Sequence, residues 1–143
     1  MVPADDGASP APIDRSVLAR IRSRFSGSRL TESAEIVEDG NSHLRIDLSD
    51  EYYPSDASAR IEIRWYRNDD FSVHYREDRR DGTWACRWDR HPNVHNTRSH
   101  FHPPPDAATP DARDAQWPND HRDVCRLVAD RLEERIETLW ERR

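Results

Sequence analysis

The sequence predicts an α+β fold: an antiparallel β-meander of four to five strands, with an N-terminal helix and a long C-terminal helix packed on its apolar face. Three observations predict it. Apolar and polar residues alternate in four short runs between Leu44 and Trp88, the period of a strand buried on one side. Turn-forming Asn, Asp and Gly separate several of those runs by only a few residues, which requires antiparallel neighbours. Near the C-terminus the apolar spacing changes to four, the spacing of one helical face.

Taken in order, residues 1–12 are polar and proline-rich and read as a disordered tail. Residues 13–143 read as one domain, a length that supports a single core. From Asp14 to Phe25, Val17, Leu18, Ile21 and Phe25 share a helical face, and Gly27 is placed to end the helix. Ala34–Glu38 is a short strand, followed by a tight turn at Asp39-Gly40 or Gly40-Asn41. Leu44, Ile46 and Leu48 then alternate with polar neighbours. So do Ile61, Ile63 and Trp65; Phe71, Val73 and Tyr75; and Trp84, Cys86 and Trp88. Asn68-Asp69-Asp70 and Asp81-Gly82 supply turns. Because side chains alternate across a strand, Arg64, Tyr66, His74, Arg76, Arg87 and Asp89 fall on the opposite, polar face. Residues 90–118 read as an irregular loop, rich first in His and then in Asp, with Pro103–Pro105 consecutive. A helix closes the chain from about Asn119 to Arg142, with Val124, Val128, Leu132, Ile136 and Trp140 in step and Pro118-Asn119 as its start signal.

Composition excludes several classes. No apolar run approaches the ~18 residues of a membrane span, and the N-terminal segment lacks a signal-peptide layout, so the expected address is the cytoplasm. Cys86 and Cys125 are too few for a disulfide framework and read as small buried hydrophobes. Gly-rich phosphate loops, nucleophile elbows and His-Glu-x-x-His motifs do not occur.

All 22 basic residues are Arg, against 28 acids, for a net charge of −6. A Lys-free, Asp-rich composition is similar to that of proteins from salt-loving microbes. In molar salt the Debye length falls to ~3 Å, which favours direct forked Arg–phosphate contacts over long-range steering. The charge is uneven: residues 60–102 hold nine Arg against seven acids and five of the seven His. A cationic, titratable centre thus sits in an acidic frame.

Two constellations in that centre carry chemistry. Arg87-x-Asp89-Arg90-His91, beside His74 on the adjacent strand, offers a base, an acid and a phosphate-binding cation, the set that cleaves RNA through its 2′-hydroxyl. The competing reading is a solvated face of Arg–Asp pairs. His91-x3-His95-x4-His100-x-His102 has the density to hold zinc through neutral imidazoles, with Asp89 or Cys86 as a further ligand. No Cys-x2-Cys partner exists, and Pro92 prevents helical presentation of the first pair, so no metal and no cofactor are assigned. Tyr66 and Phe101 offer rings for base stacking.

The order of these features resembles the TumE family, small toxin components of toxin–antitoxin pairs. The resemblance spans about residues 34–140. It rests on the Asp39-Gly40 turn before a strand, the Arg87-Trp88-Asp89 strand end, the His100-Phe101-His102 close of the His loop, and the long last helix. Arg90 stands where the family pattern has Asn, and single His91 and His95 stand where it pairs histidines. The resemblance implies a toxin partnered by an antitoxin with a DNA-binding domain and acting on RNA or translation.

The sequence is therefore expected to encode a metal-independent ribonuclease or RNA binder. His74, Arg87, Asp89, His91, His100 and His102 are the catalytic candidates, with His74 or His91 as base and His100 or His102 as acid. Arg64, Tyr66, Arg76, Arg90, His95 and Phe101 are the RNA-contacting candidates. Expected partners are the antitoxin and RNA, no membrane, and a second copy as a homodimer. The alternatives are a non-enzymatic interaction or regulatory module, using the edge of the last helix around Trp140, and a zinc-bound domain.

Overall fold

The computed structural model describes residues 11–38, 40, 42–54, 56–91 and 98–142. Among these the chain runs α1 (Arg15–Ser26), β1 (Thr31–Val37), β2 (His43–Leu48), β3 (Ala57–Trp65), β4 (Phe71–Arg79), β5 (Gly82–Arg90), β6 (Ser99–His102), β7 (Arg113–Asp114) and α2 (His121–Glu141). The seven strands form one sheet in sequence order, every pair antiparallel. The α+β meander flanked by two helices is as the sequence predicts, with more strands. The additional strands β6 and β7 lie inside the stretch read as irregular.

The apolar face forms as the period-2 pattern requires. Ile61 pairs with Tyr75, Ile63 with Val73 and Trp65 with Phe71, and Val73 pairs onward with Trp88 and Tyr75 with Cys86. All are buried. Trp65 and Phe71 stack at 4.8 Å between centroids. Leu44 and Ile46 extend this face through β2, and Ala34 and Ile36 of β1 border it.

Both helices cover the apolar face. In α1, Asp14 caps the N-terminus by accepting a hydrogen bond from the Val17 amide, and Leu18, Ile21 and Phe25 are buried. In α2, Asp120 accepts from the Arg122 amide, and Val124, Cys125, Val128, Leu132 and Leu139 are buried. Trp140, the last member of the predicted stripe, is 47% exposed. The reason is geometric. A step of four overshoots the 3.6-residue turn by about 40°, so four such steps carry the stripe around the helix. Leu139 takes the inward position, and Trp140 donates its indole N–H to the Tyr52 carbonyl at 2.8 Å.

The β4–β5 hairpin turns at Gly82, whose φ of +139° is open only to glycine. This long hairpin fixes the register that matters for the site: His74 lies opposite Arg87, and Ser72 opposite Asp89.

Candidate functional site

Four adjacent strands carry the same device on their polar face. Arg45 pairs with Asp47, Arg60 with Glu62, Arg76 with Asp78 and Arg87 with Asp89, each two residues apart along one strand. Residues at that spacing share a face. In the first three pairs the acid is 27–49% exposed. Such exposed pairs contribute little, about 0–1 kcal/mol each. Asp89 differs, with only 5% of its side chain exposed.

The register of β6 on β5 produces that difference. Arg87 lies opposite His102, and Asp89 opposite His100. The alternation of His100-Phe101-His102 then turns both imidazoles onto the polar face. His102 Nε2 stands 2.9 Å from Asp89 Oδ2, and Arg87 donates from Nε to the same oxygen at 3.1 Å. Arg87 Nη2 also lies beside the His102 ring, 3.1 Å from Nε2 and 3.3 Å from Nδ1. Asp89 Oδ1 faces the other way, 3.5 Å from His100 Nδ1 and 3.7 Å from His91 Nε2. One buried carboxylate is the hub of three imidazoles and a guanidinium.

The electrostatics follow from that crowding. Burial works to raise the Asp89 carboxyl, but the hydrogen bond from His102 and the charges of His102, His91 and Arg87 outweigh it and hold the group below the usual carboxylate range. Burial lowers His100 despite the attraction of Asp89. Burial, then the charge of Arg87 across the strand, lowers His74. His74 and His100 are therefore neutral imidazoles at pH 7, able to accept a proton or bind a metal.

The other predicted residues divide by face. Arg64, Tyr66 and Arg76 lie on or beside the polar face at intermediate burial, Arg76 holding Asp78 at 3.0 Å. Arg90 and Phe101 leave this surface. Arg90 follows the outward-facing Asp89, so its side chain points to the core side, where it is buried and lies 4.8 Å over the Phe71 ring. Phe101 lies opposite Trp88, packs against it at 5.7 Å, and lines a cavity of about 280 Å³ with Tyr75, Trp84, Cys86 and Leu132. Neither ring nor guanidinium is available to nucleic acid on the histidine side. His95 lies outside the described residues.

Access separates the histidines. His100 and His102 expose 3% of their side chains and His91 exposes 40%. Sequence reasoning missed Asp114, which lies opposite His100 across the β6–β7 pair. Its two-residue strand in an acidic spacer carries no readable period.

The family model described as Toxin TumE matches residues 18–136, from α1 into the second half of α2. No curated protein and no solved structure matches the chain. With most of its length matched, the chain belongs to the TumE toxin family.

Proposed function

We propose that this chain, the toxin half of a toxin–antitoxin pair, acts on RNA through the polar sheet face centred on Asp89. The observation that carries the reading is the convergence of Arg87, His91, His100 and His102 on one buried carboxylate, with His74 opposite Arg87. Arg87, 29% exposed, and Arg64 would hold a phosphate. His91 is the most open imidazole of the cluster and would exchange protons with the substrate, with neutral His74 as the second group in reach of the same face. The buried His100 and His102 would act from behind, His102 by fixing Asp89 and Arg87. Chemistry at the 2′-hydroxyl suits such a set, where each well-placed acid or base contributes roughly 10²–10⁴ in rate. The same proposal includes an antitoxin that carries a DNA-binding domain, a cytoplasmic target, and a halophile-like host; these rest on the family and on composition alone. No helix among the described residues is long and apolar enough to cross a membrane.

The test is growth under a tight inducible promoter, with total RNA followed in parallel. Wild type is expected to arrest growth with loss of RNA. His91→Ala, which touches a half-exposed side chain, is expected to restore growth while leaving the melting temperature near wild type. The His100→Ala/His102→Ala double variant is expected to do the same provided circular dichroism shows it folded. Arrest by His91→Ala and Arg87→Gln as strong as by wild type would sink the reading and favour a toxin that works through protein contact, for which exposed Trp140 is the better surface.

A further inference from the structure

The two oxygens of Asp89 have different surroundings. Oδ2 is engaged twice, by His102 Nε2 at 2.9 Å and by Arg87 Nε at 3.1 Å. Oδ1 is buried and accepts no hydrogen bond among the described residues. His100 is in the same position: both of its ring nitrogens are buried and neither has a hydrogen-bond partner among the described residues. Buried polar atoms of this kind are rare in folded proteins, and one explanation for them is a missing ion. Here they lie side by side. Asp89 Oδ1 is 3.5 Å from His100 Nδ1 and 3.7 Å from His91 Nε2, and the three residues offer one ligand atom each within 4.8 Å of one another.

We propose that Asp89 Oδ1, His91 Nε2 and His100 Nδ1 bind a divalent first-row transition metal, with zinc as the reference ion. Zinc bonds to nitrogen and oxygen at about 2.0–2.1 Å, so two ligand atoms on a tetrahedral ion stand about 3.3–3.4 Å apart. The two separations from Asp89 Oδ1 are close to that edge, and the two imidazoles offer ligand atoms within 4.8 Å of one another. Two imidazoles and one carboxylate suit zinc and its neighbours rather than magnesium or calcium, which prefer all-oxygen shells. The surroundings are those of a built site. His102 and Arg87 hold the outer oxygen of the ligating carboxylate, as outer-shell groups do in metal centres. The β5–β6 register sets Asp89 opposite His100, and His91 follows β5 directly. Three protein ligands leave a position open to water or to an oxygen of a substrate, the arrangement of a reactive rather than a purely structural zinc.

Direct pairing of a ring N–H of His100 or His91 with Asp89 Oδ1 is the competing account, and it needs no metal. The inference does not rest on the RNA reading, because binding is measured without RNA; zinc on His91 Nε2 would take that nitrogen out of proton exchange and leave the exchange proposed above to His74. The full chain, purified without a His tag and stripped with a chelator, is titrated with zinc chloride by calorimetry and then melted with and without zinc. One zinc per chain and a zinc-dependent rise in melting temperature are expected, with no rise from magnesium. His91→Ala should weaken zinc by at least the roughly 10–100-fold that loss of an outer-shell partner costs, and Asp89→Asn should do likewise with its fold checked by circular dichroism. Cobalt in place of zinc should give a visible ligand-field band that His91→Ala abolishes. Absence of saturable zinc binding, or zinc binding by His91→Ala equal to wild type, would overturn the proposal and leave the proton-paired cluster.

Discussion

Arg90 donates from Nε and Nη2 to the Asp69 carbonyl at 3.0 and 2.8 Å, and from Nη1 to the carbonyls of Trp117 and Pro118 at 3.3 and 2.9 Å. One side chain thus ties the β3–β4 turn, where Asp69 holds a φ of +66°, to the segment entering α2. Removing the guanidinium leaves three carbonyls without a charged donor. Arg90→Ala is expected to lower unfolding free energy in urea by on the order of 3 kcal/mol. Arg90→Lys should recover little of it, since an ammonium cannot reach all three acceptors with one planar fork. A loss no larger than that of an average surface substitution would refute the clamp. Its neighbour Asp89 points the other way, and this contrast shows what was legible at the residue scale. Alternation alone assigns Asp89 to the polar face and Arg90 to the core side. Charge alone recommends Arg90 for nucleic acid, and in the structure alternation prevails. Nothing in the sequence, however, separates Asp89 from Asp47, Glu62 or Asp78, each of which follows an Arg at the same spacing. Only the pairing of β6 buries one of the four.

The strand β6 itself was hard to read because it is four residues long, is followed by three prolines, and has histidines where a longer strand would show a plain polar face. Its polar–aromatic alternation becomes informative only once Trp88 is known to lie opposite Phe101. The contact between α2 and β4 was also unreadable. Glu77 continues the inward series of Phe71, Val73 and Tyr75, so alternation buries it, yet a lone sequence offers no partner for it. The partner is Arg135, which reaches down from α2 and donates from Nε and Nη2 to the two Glu77 oxygens at 2.8 and 2.9 Å. The Tyr75 hydroxyl donates to the same carboxylate at 2.7 Å, and the Tyr53 hydroxyl lies 2.8 Å from that of Tyr75. The guanidinium also lies 3.6 Å over the Trp84 ring, a cation–π contact. Removing one member of a buried pair strands the other, whereas replacing both with apolar groups is often neutral. Arg135→Ala is expected to cost about 3–5 kcal/mol, read from urea unfolding. The Glu77→Leu/Arg135→Met pair should be far more stable than Arg135→Ala alone. If the double variant is no better, the cost of Arg135→Ala lies in the lost cation–π contact with Trp84 rather than in an unpaired charge.

At the scale of the whole molecule, the helix–sheet–helix order was legible because each part has its own hydrophobic period and the turns between strands are short. What joins the parts is one apolar cluster that takes in α1, the sheet and α2, with Cys86 on β5 and Cys125 on α2 among its members. These two thiols report on whether the parts behave as one unit. Burial pushes each up to about 12, so at pH 8 only roughly one in 10⁴ is the reactive thiolate while the fold is closed. Labelling by a thiol reagent must then pass through an opening that exposes the sulfur. In a chain that unfolds as one cooperative domain, both sulfurs wait for the same global event. The expected result is negligible fast labelling in native buffer, two labels per chain in strong denaturant, and the same denaturant dependence for Cys86 and Cys125 when each is followed by mass. Labelling of Cys125 at distinctly lower denaturant than Cys86 would mean that α2 leaves the sheet as a separate unit. The Glu77–Arg135 pair would then lie on the boundary between two folding units rather than inside one, and Arg135→Ala would expose Cys125 without changing the opening of Cys86.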